Sequence, residues 1–546
     1  MLEDIDPNQI QDPHAKQCVV VLLNLVERQN EQISALKDQN QLLRDENARL
    51  KGQQGKPDIK PNKPAIDHSS ETQRRQPKTW QKKPKRDLIE ITRTCDPPLD
   101  LSQLPADIEF KGYEDFVVQD LKLVCDNVRF RRAKFYSPST HKTYLAALPP
   151  GYDSHFGPGI KSLALWLGYA GNMSQADIEH LLTSAGVLIS TGQVNRLLTE
   201  GQDLFHTESA EVFVAGLESS PWSNLDDTAT RVNGENQHCH VLCNPLYSFY
   251  HTCPGKDRLS VLSALCGGAS LNYLCNSAAL CYMQVQGLSK PHRKLLLQLP
   301  QDTPMSEEAL TDYLQALAPK LGPRQINTIK EGMAIAAYQA QEDFPVLELL
   351  VCDAAPQFRW LTVELGLCWI HDGRHYAKLM PRLAHHQKLL ADFSKSYWDY
   401  YKELLAYQKA PTAQEAQRLE GVFDALFCRV TGYEALDDRI EKTRAHKENL
   451  LMVLSHPEIP LHNNAAELAA RRRVRKRDVS FGPRSELGKS CWDSFMTLSA
   501  TAKKLGVNFY HYLQDRLSQA GEIPSLAALI RERAEQLQLG GSWDFA

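Results

Sequence analysis

For its 546 residues the chain has little cysteine, no excess of positive charge and no long apolar run without polar breaks. Thirteen cysteines fall short of a disulfide-stapled scaffold, and no secretory signal opens the sequence, so a reducing cytoplasm is the expected compartment. Lys and Arg number 62 against 66 Asp and Glu, a net charge of −4. There is no global positive field, so any grip on nucleic acid must come from local basic segments. The stretch from Leu259 to Ser289 carries no charge and exceeds the ~20 residues that span a bilayer. Gly267, Gly268, Asn272, Asn276 and Gln284 interrupt it, however, and buried amides are costly in hydrocarbon. A core segment is expected there, and no membrane partner.

What is present is an ordinary globular balance, 42% hydrophobic and 23% charged, in a chain too long for one core. Residues 18–51 carry a heptad: Leu22, Gln29, Leu36, Leu43 and Leu50 fall at d, and Val26, Ile33, Asn40 and Asn47 at a. Leucine at d with β-branched residues at a favours two strands, and Asn at a fixes register. A leucine-zipper coiled coil is expected, pairing the chain as a homodimer or higher oligomer, or with another coiled-coil protein. Residues 52–87 read as a flexible basic linker. From Lys51 to Arg86 there are eleven Lys/Arg, three Asp/Glu and five prolines around Trp80, too little apolar material for a core. Residues 88–150 read as a small mixed domain with strands around Phe116–Val128. Residues 151–215 are helical, with Ser174–Ala185, a glycine turn at Gly186–Ile189 and Ser190–Leu198 at helix-turn-helix spacing.

From 216 to 500 the pattern changes. NLDDT, NQHCHVLCN and LYSFYHT, about 224–252, predict antiparallel strands. VLELLVCD at 346–353 reads as a buried central strand and GLCWIH at 366–371 as another. About 269–345 and 379–455 read as helical insertions, and 501–546 as a C-terminal helical element. Three acids stand out by position: Asp226 in the first strand, Asp353 at the end of the apolar strand, and Glu467 opening a helix. Each also has a local reading. Asp226–Asp227–Thr228 is turn-like, Asp353 suits a strand cap, and Glu467 lies three residues after Asn464, as in a capping box.

LHNNAAELAARRRVRKRDVSF at 461–481 resembles the C-terminal catalytic signature of transposases of the insertion-sequence-sixty-six family, matched by Asn463, Asn464, Glu467, Arg471, Lys476, Arg477 and Phe481. CWIHDGRHYAKL at 368–379 is similar to that family's Cys-Trp-x-His-x-x-Arg block through Cys368, Trp369, His371 and Arg374. LDDTATRVNG resembles its Asp-Glu-Thr block, with Asp226 at the first acid. The resemblance implies an α/β fold: an RNase H-like catalytic core with helical insertions, preceded by the coiled coil and the helix-turn-helix-like region. It implies an Asp226–Asp353–Glu467 triad holding two Mg²⁺ ions, with Mn²⁺ as an alternative. Such a pair activates one oxygen and stabilises another in phosphodiester transfer. Element ends and target DNA would be the partners, with accessory proteins of the element, in a nucleoid-associated cytoplasmic setting.

Arg374, Arg471, Arg475, Lys476 and Arg477 are then candidates for DNA contact, with His371, Trp369 and Asn464 in support. Arg471 lies one turn from Glu467 on the same helix face. Asp227 is expected on the opposite strand face. Two other readings stay open: a catalytically inactive, transposase-derived DNA-binding protein, and a metal-dependent nuclease on the same fold. There are departures. The family's zinc module is reduced to Cys95 and Cys125, without a pair at ligand spacing. HCHVLC at 238–243 reads as ordinary strand. Asp372 is expected to perturb the site.

Overall fold

The computed structural model describes residues 5–51, 89–96 and 112–543. The basic linker at 52–87, Trp80 included, lies outside the described residues. The protein is a mixed α/β structure built on one five-stranded mixed sheet. Two further strands, β1 (Lys134–Ser137) and β2 (Lys142–Leu145), form a separate antiparallel hairpin. The five are β3 (Trp222–Val232), β4 (Glu235–Cys243), β5 (Ser248–Cys253), β6 (Leu349–Cys352) and β7 (Glu364–Leu367), in the order β5-β4-β3-β6-β7. β3, β4 and β5 run antiparallel, whereas β6 and β7 run parallel to β3. The β3–β4 turn is Asn233–Gly234, both with positive φ (51° and 83°), the two-residue hairpin chemistry whose twist matches the flanking strands.

Alternation along these strands sorts three cores. Leu225, Leu242, Phe249, Leu350 and Cys352 face a large core with the Asp203–Glu218 and Arg258–Leu265 helices. Trp222, Leu349, Val351 and Leu367 face an aromatic core with Trp369, Tyr397, Tyr400 and Phe423. Val241 and Tyr250 meet Ala469, Ala470, Met496 and Ala500 of the helices Asn464–Ser480 and Glu486–Lys504. The uncharged stretch is core, as expected: Val261, Leu262, Tyr273, Cys275, Ala279 and Met283 are buried, and no helix among the described residues is long and apolar enough to cross a membrane.

Helices fill the chain between β5 and β6 and again from Ala384 to Ser455. The helix-turn-helix pair is present as Gln175–Ser184 and Thr191–Thr199. Ser174 and Ser190 cap the two helices, and Gly186 supplies the left-handed turn (φ 89°). The zipper segment forms one helix, Pro13–Leu50. It docks on the body through Leu23, Asn24 and Glu27, the last accepting bonds from the Arg382 and Leu383 backbone and from His386. The heptad residues Leu22, Ile33, Leu36, Leu43 and Leu50 remain exposed.

Two expectations fail. Residues 116–128 contain no strand; the hairpin lies later, at 134–145. GLCWIH is not one strand: β7 ends at Leu367, and Trp369–Ala377 is helical. Short apolar runs do not separate strand from buried helix, and here the boundary falls at Cys368.

Candidate active site

Asp226 reaches the site through register. β3 pairs with β6 at Trp222–Leu349, Ser223–Leu350 and Asn224–Val351. Asp353 follows directly on Cys352, the last residue of β6, and its charge acts on Asp226 of the neighbouring strand. By strand alternation the Asp226 side chain lies on the sheet face that carries Trp222 and Val241. Asp353 Oδ1 also accepts the Ala355 amide at 3.0 Å, so part of its capping role is real.

Glu467 comes from the Asn464–Ser480 helix, which Asn463 seats on the sheet. Asn463 Nδ2 donates to the Leu225 carbonyl at 2.6 Å, and its Oδ1 accepts from Asn224 Nδ2 at 2.9 Å. Its backbone amide reaches Cys368 Sγ at 3.2 Å. The capping-box reading of Glu467 fails: Asn463 is the N-cap and its side chain makes no cap bond. Arg374 instead donates to Glu467 Oε2 at 3.2 Å and to His371 Nε2 at 3.1 Å. His371 Nδ1 stands 3.8 Å from Glu467 Oε1.

Asp226, His371, Arg374 and Glu467 border an open cleft of about 400 Å³ that is also lined by Asp227, Thr228, Ala470, Arg471 and Val474, with Asp353 outside that lining. Burial pushes the Asp226 carboxyl up to about 7, and the negative charges of Asp227, Glu467 and Asp353 push the same way, against the Asp227 amide hydrogen bond. Glu467 Oε1 is buried and takes no hydrogen bond. A carboxyl whose charge is disfavoured by burial and by neighbouring acids, beside a glutamate with an orphaned oxygen, is a donor set that a hard divalent cation fits. Cys368, His371 and Glu467 also place donor atoms within 4.8 Å of one another, a softer set at the edge of the same site. Asp227 pairs across from His240 and lies 3.7 Å from His238, alternating with Asp226 along β3, yet it too borders the cleft. His240 Nε2 reaches the Gly255 carbonyl at 3.2 Å, so HCHVLC behaves as ordinary strand.

The basic run divides. Arg471 and Arg475 are exposed. Lys476 is not available to DNA: it is 4% exposed, donates to the Gly168 carbonyl and lies over Tyr169 and Trp492. Arg477 is bonded to the Ala229 carbonyl and is only partly exposed. Arg473, inside the helix, is fully buried against Asp493, Thr252 and Trp492.

Trp369 stands behind the site. Its indole donates to the Leu450 carbonyl at 2.8 Å and packs on Tyr397 and Tyr400. Asp372 does not perturb the cleft. It is buried on the far side of its helix, bonded to Arg439, Thr443 and Tyr397, and ties the second helical insertion to the site. Asn464 opens its helix, its amide 3.4 Å from His462 Nδ1. Asn463 and Asn224 are the struts of the site, a role that sequence reasoning misses; the Asn463–Asn464 doublet is the one signal that points to it.

No family model matches the sequence, and no solved structure matches it. The uncharacterized protein y4jO of Sinorhizobium fredii (strain NBRC 101917 / NGR234) is 31% identical over 324 residues, which cover 59% of this chain and 99% of that protein. At that identity over nearly the whole of the relative, this chain belongs to the same family as y4jO.

Proposed function

We propose that the protein is a DNA transposase of the Asp-Asp-Glu kind, akin to the insertion-sequence-sixty-six family, with an RNase H-like core. One observation carries the reading. Asp226 on β3 and Glu467 on the Asn464–Ser480 helix border one cleft, and Asp353, directly after the parallel neighbour β6, is near enough for its charge to act on Asp226. The strand order, three antiparallel strands followed by two parallel ones, supports the RNase H-like assignment. Two bound Mg²⁺ or Mn²⁺ ions would supply an activated water or 3′-hydroxyl and charge relief at the leaving oxygen.

The chain's own residues do the rest. Asp226, Asp353 and Glu467 would hold the ions. Arg374 fixes one Glu467 oxygen and leaves the other open, and His371 positions Arg374. Arg471, one turn along from Glu467 and exposed to the cleft, suits a phosphate beside the reacting one. The exposed heptad seam of the Pro13–Leu50 helix supports assembly through a second copy, as a reaction joining two element ends requires.

The test is direct. Full-length protein with Mg²⁺ and a plasmid carrying the sequences that flank its gene should yield cut ends and joined products. Cutting without joining would instead favour the nuclease reading. Binding without either would favour the inactive DNA-binding derivative.

A further inference from the structure

The β1–β2 hairpin is unlike the rest of the fold, because both of its faces are open. Lys134 pairs with Leu145, Phe135 with Tyr144, Tyr136 with Thr143, and Ser137 with Lys142. Seven of these eight residues are exposed, Phe135 at 70% and Tyr144 at 53%. A lone two-stranded ribbon is marginal in water and is stable only when something covers a face. What covers it is indicated by charge. From Val128 to Tyr152 there is no Asp or Glu, whereas Arg129, Arg131, Arg132, Lys134 and Lys142 give five positive charges in a chain whose net charge is −4. The next acid along, Asp153, is already paired with Lys161.

The ribbon is nevertheless anchored at its root. Arg132 Nε donates to the Ala146 carbonyl at 2.6 Å, Phe130 packs edge-on to Tyr152 at 4.9 Å, and Cys125 packs on the large core beside Gly186, in the turn between the two short helices. Its root is therefore closed on itself, and the segment that leads into it touches the helix-turn-helix turn through Cys125.

We infer that this ribbon is a docking element for duplex DNA, with Arg129, Arg131, Lys134 and Lys142 on backbone phosphates and the exposed aromatic pair against the groove wall. A two-stranded ribbon fits the major groove, ~12 Å wide, and its basic residues would release the counterions of a polyanion. The inference rests on the functional reading only in naming DNA as the polyanion. It assigns the grip to a segment outside the cleft.

The test separates the two. Full-length protein is titrated into a fluorescent duplex of arbitrary sequence, with EDTA present, so that cleavage plays no part. Arg131→Gln/Lys134→Gln/Lys142→Gln should weaken binding at least tenfold at ~0.1 M salt and lower the log–log salt slope by about 2.7, at about 0.9 for each phosphate no longer neutralised. Phe135→Ala/Tyr144→Ala should weaken binding with the slope unchanged. If the triple variant does not fold, Lys142→Gln alone should still lower the slope by about 0.9. Unchanged affinity and slope in folded charge variants would overturn the inference. So would unchanged DNA binding with a lower mass by light scattering, which would make the ribbon a protein interface. Loss of cleavage in triad variants with the ribbon's grip intact would leave the inference standing.

Discussion

Arg471 and Arg475 share one helix with Arg473 and Lys476, yet the two pairs have opposite fates. The first pair faces solvent along the line of Glu467, while the second is 0% and 4% exposed, held by Asp493, Thr252, the Gly168 carbonyl and aromatic faces. Six basic residues in seven look in sequence like one phosphate-binding patch. Helical periodicity splits them: a position one turn from Glu467 points to the cleft, and a position between turns points into the core. Charge density alone therefore overstates the positive surface open to solvent, and the inward cations belong to the fold.

The difference is broken most forcefully at Asp493. Asp493→Ala leaves the buried Arg473 guanidinium without its counter-ion and removes an acceptor used by Thr252. Stability in urea melts should fall by about 3–5 kcal/mol, the cost of an uncompensated buried charge.

Lys476 sharpens the comparison through pH. Burial, and secondarily the charge of Arg473, lowers its ammonium to about 8 from the usual 10.5. A depressed lysine penalises the folded state in full below about pH 8, and the penalty disappears as pH rises towards 10.5, where the unfolded chain also releases its proton. Wild type should therefore gain on Lys476→Met between pH 8 and 10.5, by at most about 3 kcal/mol. A constant gap across that window would mean the ammonium is not desolvated.

The outward pair should behave in the opposite way. Arg471→Gln/Arg475→Gln should change stability by no more than about 0.5 kcal/mol while lowering the salt slope of DNA binding by about 1.8. A melting shift as large as that of Asp493→Ala would erase the distinction between the two faces.

Sequence pattern reaches some of this and misses the rest for physical reasons. The antiparallel strands at about 224–252, the buried strand before Asp353 and the helix, glycine turn and helix at 174–198 follow from local rules, and the structure has them. The nearness of Asp226 and Asp353 follows from the pairing of β3 with β6, strands far apart in sequence, which no local pattern carries. Asp372 looks like an intruder in the site because it follows His371. One residue along a helix turns a side chain by ~100°, and it points to Arg439 instead. The strand expected at 116–128 is absent because its apolar residues never find a sheet to join. Lys476 reads as surface in the sequence because the Tyr169 and Trp492 faces that receive it come from other elements.

The triad carries the account, and Glu467→Gln tests it most directly. The variant keeps the side chain's shape, an oxygen for Arg374 and the helix seated by Asn463, and removes only the charge a divalent ion requires. Cleavage of duplex DNA with Mg²⁺ should fall below detection, while DNA binding in EDTA and the urea midpoint stay close to wild type. Asp226→Asn and Asp353→Asn should behave alike. If Glu467→Gln cuts DNA at the wild-type rate, Glu467 serves the fold through Arg374 alone and the Asp-Asp-Glu reading is wrong.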